Sequence, residues 1–263
     1  MKKKIAICFS GHFRNFHNVK NNIFEKLINP LRQNYDTDIF VQTWDTLDTV
    51  NGPKGLEGSV NLQLTQTRTD VNYILDVLDP ISISILNKKI CARYLQLNHI
   101  NPNNKINFEA LSSKYTVING ELIPFSQLLG IYLANELSSD FEIANHFEYD
   151  LIIRTRPDFC YTINILDILK FENSKLFVPN IWRYTSGQEY AINDTFAFGT
   201  RYVMDAYAST LNNYIDSINR CDFKYEENHG NSLQYGVEQS IYRNIKEYGR
   251  IEIVELGKIN FKA

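Results

Sequence analysis

The sequence lacks most of the features that would assign a chain at a glance. Its four cysteines, Cys8, Cys91, Cys160 and Cys221, form no Cys-x-x-Cys pair and stand at no zinc spacing with histidine. They read as reduced, mostly buried thiols of a cytoplasmic protein rather than as a disulfide framework. No apolar run approaches the length of a membrane span. The run Ile5 to Phe9 behind Lys2-Lys3-Lys4 is too short for a signal-peptide core. Neither sign of charge dominates: 27 Lys and Arg against 30 Asp and Glu leave a net charge of -3. That balance gives no support to a nucleic-acid binder working through a general basic surface. There is no internal repeat, no low-complexity tract and no clear linker, so a single domain over residues 1–263 is the economical reading.

What is there is core-forming. The chain is 44% hydrophobic, ample for one sizeable core. It carries 16 Tyr and 16 Phe. Much of that builds the interior, but a tyrosine ring also stacks and its hydroxyl hydrogen-bonds, which suits carbohydrate and nucleotide contacts.

Hydrophobic periodicity predicts an α/β fold. Lys4 to Ser10 reads as a buried first strand closed by Gly11. Phe16 to Asn34 reads as a helix with Val19, Ile23, Phe24, Leu27 and Leu31 on one stripe, kinked or ended early by Pro30. Asp38 to Thr43 is a second strand, so these elements form a β-α-β unit with parallel strands. Thr46 to Asp70 reads as a loop near the ligand side, Ile81 to Leu86 as a third strand, and Asn98 to Asn107 as a surface insertion. Variable insertions are therefore expected at about 46–70 and 98–119. A long helix follows over Pro124 to His146, then strands over Asp150 to Thr155, Leu176 to Pro179 and Asp194 to Gly199. Helices over Met204 to Ile218 and Leu233 to Tyr248 and a late strand over Arg250 to Leu256 close the chain.

The segment Leu151-Ile152-Ile153-Arg154-Thr155-Arg156-Pro157-Asp158 runs an apolar strand into two arginines and a carboxylate. If the chain stays extended, Arg154, Arg156 and Asp158 share one side. Charges buried beside an apolar run are costly unless paired. Either an anionic ligand supplies the pairing, with or without a metal on Asp158, or Arg and Asp pair internally at the end of a core strand. Ser10, Gly11 and Arg14 offer a small turn, free N–H groups and a cation, which suit a phosphate at a helix start, or form an ordinary βα turn. Trp44-Asp45 offers a ring and an acceptor for a nucleotide, or is a half-buried Trp beside a helix-capping or turn Asp. Gln127, near the start of the long helix, is a further nucleotide contact or a helix cap. Asp194 is a general base for an acceptor hydroxyl, a contact for the donor sugar, or an ordinary turn aspartate at the start of a strand. Glu238 is either an active-site carboxylate or a helix-start acid favoured by the dipole. His229, in a polar loop, is a second metal ligand beside Asp158 or a solvated histidine. With Gly199-Thr200 counted alongside Asn193-Asp194, these polar groups flank strands, and in open α/β sheets ligands bind outside the carboxyl ends of the strands.

The order of these motifs resembles a group of bacterial and viral proteins associated with surface-polysaccharide synthesis, including lipopolysaccharide-synthesis proteins of the WavE type. That order is strand-Ser-Gly-x-x-Arg, then Asp-Ile-Phe-Val-Gln-Thr-Trp-Asp, a long helix, Tyr-Asp-Leu-Ile-Ile-Arg-Thr-Arg-Pro-Asp, and Asn-Asp-Thr-Phe-Ala-Phe-Gly. The resemblance covers Lys4 to Met204. It implies a single GT-A-like (Rossmann-like) domain with a mostly parallel mixed sheet flanked by helices. It also implies a glycosyltransferase that moves a sugar from a nucleotide-diphosphate sugar to a capsule or lipopolysaccharide acceptor, free or lipid-linked. In GT-A enzymes the strand after the long helix ends in Asp-x-Asp, whose second acid holds a metal on the donor diphosphate. Asp158 matches that acid and Arg156 replaces the first, so the resemblance implies either Mg2+ or Mn2+ or metal-independent action with an arginine neutralising the diphosphate. Ser10, Gly11, Arg14, Asp45, Gln127, Arg154, Arg156 and Asp158 would then hold the donor. Asp194 would be the base and Glu238 its reserve. The location implied is cytoplasmic, with peripheral attachment at the inner membrane compatible with it and no nucleic-acid partner. The competing readings are a nucleotidyltransferase or sugar-phosphate enzyme, which would normally carry a longer glycine-rich loop than Ser10 to Arg14. A non-catalytic glycan-binding or assembly protein of the same fold also competes, supported by the missing first acid.

Overall fold

A computed structural model describes residues 2–51, 63–87, 117–118, 121–183, 190–220 and 237–257. Its centre is a seven-stranded sheet. The strands are β1 (Lys4–Ser10), β2 (Asp36–Trp44), β5 (Ser82–Leu86), β8 (Leu151–Thr155), β9 (Lys175–Val178), β12 (Phe196–Gly199) and β13 (Glu252–Glu255), in the order β13-β9-β12-β8-β1-β2-β5. Only β12 runs against the rest: it is antiparallel to β8 and β9, while β1, β2, β5 and β8 pair in parallel and β13 parallels β9. The mostly parallel mixed sheet flanked by helices is therefore present. Short antiparallel pairs lie outside it, formed by β3 (Thr46–Asn51) with β4 (Gln63–Arg68), β6 (Val117–Ile118) with β7 (Glu121–Leu122), and β10 (Ile181–Arg183) with β11 (Tyr190–Ile192).

Alternation along the strands builds the two halves of the core. Ala6, Cys8, Ile152, Leu176, Val178 and Ala197 face one way. There they meet α4 (Ile123–Asn145), α5 (Arg201–Ala208), α6 (Thr210–Arg220) and α7 (Val237–Glu247) through Leu128, Val203, Leu211 and Ile241. Ile5, Ile7, Phe9, Ile153, Phe177, Phe196 and Phe198 face the other way, onto α1 (Phe16–Ile23), α2 (Asn29–Asn34) and α3 (Val71–Leu78). Burial of each such side chain contributes about 1.5–3 kcal/mol, so a strand apolar on both faces is held strongly at the sheet centre.

Several boundaries differ from the sequence-based expectation, each for a local reason. Pro30 does not end its helix. A π-helical stretch over Phe24–Ile28 precedes it, and Pro30 sits at the start of α2. The wider turn leaves room where a proline ring would otherwise meet the preceding carbonyl. The expected loop over 46–70 is, in its described parts, the β3–β4 hairpin followed by the Asp70 cap, whose Oδ1 accepts from Tyr73 N at 3.0 Å. Threonine and valine in the hairpin strands favour extended backbone on either side of the glycines and proline of 52–58. The expected helix 204–218 is broken at Ser209 between α5 and α6, where the Ser209 hydroxyl donates to Ala206 O and Asn212 N bonds Ser209 O. The expected insertion at 98–107 lies outside the described residues.

Gly199 ends β12 where α5 begins. A Cβ there would stand 2.7 Å from Val203 Cγ1 and 3.1 Å from the Lys175 carbonyl. Gly199→Ala is expected to destabilise by about 1–3 kcal/mol through overpacking, read as a lower urea midpoint with an unchanged m-value.

Candidate functional site

The sheet order brings chemistry to one edge. The carboxyl ends of β1, β2 and β8 lie side by side. Because β12 is reversed, the segment leading into it, Asn193-Asp194-Thr195, arrives at that same edge: Phe196 pairs with Thr155, and Arg156 N donates to Thr195 O at 3.1 Å. Gly199-Thr200, at the other end of β12, is thereby carried to the opposite edge, away from the crevice it was expected to flank.

Gly11 takes φ +123, a conformation open to glycine. Its N–H bonds Gln42 O at 3.2 Å and its carbonyl accepts from Thr43 Oγ1 at 3.0 Å, pinning the turn to β2. A Cβ on Gly11 would lie 3.9 Å from Pro157 Cδ, so the turn after β1 and the turn after β8 are neighbours. Arg14 follows in the same turn, half-buried.

The Arg-Thr-Arg-Pro-Asp segment divides. The strand stops at Thr155 and the chain turns at Pro157-Asp158, so the three charges do not share one side. Arg154 points inward with Ile152 and Cys8. It is 4% exposed, and its Nε donates to Ser10 Oγ at 2.9 Å. Arg156 lies at the rim and grips Asp158 with two bonds, Nε to Oδ1 at 2.8 Å and Nη2 to Oδ2 at 2.7 Å. The internal Arg–Asp pair anticipated for a core strand end thus forms between these two residues. Tyr161 braces the turn from below: its hydroxyl donates to Thr155 Oγ1 at 2.7 Å, and its N–H and C=O bond the Asn22 side chain.

Two further carboxylates act on Arg156. Burial pulls its pKa down, but the bonds to Asp158 and the charges of Asp158, Asp194 and Glu238 outweigh burial and raise it. Asp194 is 5% exposed, and its Oδ2 has no hydrogen-bond partner among the described residues. The turn carrying it is set by Asn193, whose Oδ1 accepts from Thr195 N at 2.9 Å and whose Nδ2 bonds Asn180 Oδ1 at 3.0 Å. Glu238 opens α7. Its carboxyl is raised above the ordinary range first by burial and then by the Asp194 charge, against the lowering effects of its own backbone N–H and Arg156. A carboxyl raised on folding contributes stability that is present below its unfolded value near 4.5 and is lost as pH rises through the folded value. Glu238→Gln is therefore expected to be at least as stable as the parent at pH 7 and to lose less stability between pH 4.5 and 7, measured by urea unfolding across that range.

Asp45 and Gln127 lie at the same edge without joining the Arg156 cluster: Asp45 ends β2 beside the β1 turn, and Gln127 is a turn before Gly130, where a Cβ would stand 3.9 Å from Ser10 Cβ. Asp45, at the end of β2, has its Oδ2 engaged by Asn87 Nδ2 at 2.6 Å and its backbone N–H on Leu86 O, which ties β2 to β5. Gln127 occupies the first turns of α4, half-buried. His229 lies outside the described residues. Mg2+ or Mn2+ needs several oxygen ligands. Among the described residues no group of three or more His, Cys, Asp or Glu is placed to hold a metal, and both Asp158 oxygens already accept from a guanidinium. Among the described residues, Asp158 is thus held by Arg156 and not by a cluster of metal-ligating side chains.

Sequence reasoning missed a buried polar array at the opposite edge of the sheet, by the start of β8 and the end of β12. Arg201, first residue of α5, meets Glu142 Oε2 at 2.7 Å, Asn135 Oδ1 at 3.0 Å and Ser138 Oγ at 2.9 Å. Glu142 Oε1 in turn accepts from Tyr149 N at 2.6 Å. Burial raises the Glu142 carboxyl despite that N–H and Arg201, each of which lowers it. The signal was present: Leu128, Ile131, Asn135, Ser138 and Glu142 continue one helical stripe, so its polar members had to be buried with its apolar ones.

No family model matches the chain, and no curated protein matches it. Among the described residues no helix is long and apolar enough to cross a membrane.

Proposed function

We propose that the chain is a glycosyltransferase with a GT-A-like domain, transferring a sugar from a nucleotide-diphosphate sugar to a surface-glycan acceptor at the carboxyl edge of its sheet. One observation carries this reading. The arginine-bearing turns after β1 and β8 adjoin one another, and Asp194 and Glu238 both act on Arg156 from the segments that complete the same edge. Cations next to paired carboxylates suit a reaction in which one group leaves as an anion and a hydroxyl attacks.

In this reading the Gly11 turn and Arg14 receive the nucleotide phosphates. Arg156, oriented by Asp158, stabilises the charge that develops on the departing diphosphate. Arg154 holds Ser10 and shapes the turn rather than reaching the open crevice. Asp194, with a buried oxygen that has no hydrogen-bond partner among the described residues, takes the proton from the acceptor hydroxyl. Glu238, its carboxyl raised, is the reserve base. Location in the cytoplasm, with or without attachment at the inner membrane, would suit a donor of this class.

The reading is tested by release of nucleoside diphosphate from a panel of nucleotide-sugars with and without EDTA. Release that persists in EDTA is expected, because the guanidinium occupies both Asp158 oxygens. Release abolished by EDTA would overturn the arginine-based assignment. That same closed Arg156–Asp158 pair favours a second reading, a glycan-binding or assembly protein without catalysis, for which no nucleotide-sugar would be bound or hydrolysed.

A further inference from the structure

The strand that leads to Asp194 and the helix that opens with Glu238 meet a second time. α7 packs along β11. At one end of that contact the Asp194 charge acts on Glu238. At the other the rings of Tyr190 and Tyr242 stack, 5.4 Å between centroids and 30° between planes. Tyr190 precedes Asp194 by four residues, and Tyr242 follows Glu238 by four. The two elements therefore run in opposite directions, with carboxyl groups and rings at corresponding places. One helical turn sets Tyr242 on the face of α7 that carries Glu238, about 5–6 Å along the axis. Four extended residues span about 13 Å on the strand side. The ring pair thus stands on the order of 5–13 Å from the carboxyl groups, within reach of a short oligosaccharide.

The two rings are held differently. Tyr242 is half-buried and packed against the core, with Lys246 Nζ 5.6 Å from its ring centroid. Tyr190 is 41% exposed, whereas Ala191 and Ile192 beside it are buried and Asn193 Nδ2 bonds Asn180 Oδ1 across the base of the hairpin. The exposed ring is therefore carried on fixed backbone and backed by a second ring. A tyrosine so placed offers an apolar face to C–H groups and a hydroxyl to polar ones. A pyranose presents both, C–H groups on its face and hydroxyls around its rim. A lipid chain would match the ring and leave the hydroxyl unmet. An anion would meet the negative face of the ring.

We propose that Tyr190, backed by Tyr242, is a stacking platform for a pyranose ring of the acceptor glycan, next along from the sugar whose hydroxyl reaches Asp194. The acceptor role rests on the glycosyltransferase reading, while the stacking contact itself needs only a glycan. The substrate class that follows is an oligosaccharide, so that transfer extends an existing chain rather than starting one on a monosaccharide.

Binding of the full chain to an array of immobilised neutral and acidic oligosaccharides, from disaccharides to hexasaccharides, tests it. Each glycan retained is titrated in solution against the parent, Tyr190→Ala, Tyr190→Leu, Tyr190→Phe and Tyr190→Trp. At least one glycan is expected to bind the parent. Tyr190→Ala and Tyr190→Leu are expected to weaken it by about tenfold, the scale of an aromatic stacking contact. Tyr190→Phe and Tyr190→Trp keep a ring and are expected to bind close to the parent. A role in packing alone would be preserved in Tyr190→Leu. No glycan bound by the parent, equal affinity across the series, or Tyr190→Leu binding as tightly as Tyr190→Phe would each overturn the proposal. A thermal-shift screen of nucleotide-sugars on the parent keeps the two readings distinguishable. A glycan bound through Tyr190 with no nucleotide-sugar recognised ends the transferase reading and keeps the platform. A nucleotide-sugar recognised with no glycan bound does the reverse.

Discussion

Arg156→Met is expected to lower turnover of the nucleotide-sugar by about 10²- to 10³-fold, the typical effect of removing one preorganised donor from a developing anion. The fold should survive. Arg156 is 31% exposed at its side chain, and the loss leaves Asp158 partly solvated rather than sealed in the core. Arg156→Lys separates charge from geometry. Lysine keeps the cation but cannot reproduce the two parallel bonds to Asp158, so activity between the parent and Arg156→Met is expected. Asp158→Ala, which frees Arg156 from its orienting partner, should fall with the methionine variant; full activity in Asp158→Ala would remove Asp158 from the site. The comparison is made on kcat as well as kcat/KM, because a group acting on the leaving diphosphate lowers both.

The largest stability effect is expected at the opposite side of the same layer. Arg201→Met leaves Glu142 buried without its counter-ion; the two side chains are 9% and 6% exposed. Breaking one side of a buried pair costs about 3–5 kcal/mol, which corresponds to a fall in Tm of roughly 6–20 °C for a domain of this size. The pH dependence has a definite sign. The Glu142 carboxyl already stands above its ordinary range because of burial, and losing Arg201 removes a lowering influence. A raised carboxyl stabilises below its unfolded value and loses that contribution as pH rises through the folded value. The variant should therefore be hurt least near pH 4.5 and most near pH 7. Pairing Arg201→Met with Glu142→Leu should recover much of the loss, since it is the stranded charge that costs most. Denaturant unfolding of both variants at the two pH values checks this.

How far the sequence could be read depended on whether a segment's neighbours left its pattern intact. β1 and β8 are apolar on both faces and bounded by Gly11 and Pro157, so they were legible from residues alone, as was the long helix α4. The inward turn of Arg154 was also legible in principle, because alternation places it with Ile152. The Arg156–Asp158 grip was only one of two readings, since it depends on the chain leaving extended geometry after Thr155. The role of Asp194 hinged on β12 being antiparallel, which no local pattern in Phe196-Ala197-Phe198-Gly199 encodes. The β3–β4 and β10–β11 hairpins were not legible because their strands are too polar or too short for period two to stand out in the sequence. Asp45 had the right place after a strand, but its tie to Asn87 could not be foreseen before β5 was known to lie beside β2.

The central claim is that this edge of the sheet binds a nucleotide-sugar through Arg156. A thermal-shift series across nucleotide-diphosphate sugars, run in EDTA on the parent chain and on Arg156→Met, tests it directly, since a ligand of the native state raises Tm by mass action. The account predicts that at least one nucleotide-sugar raises the Tm of the parent in EDTA and that the shift is lost in Arg156→Met. No shift with any donor, or an equal shift in the variant, would contradict it.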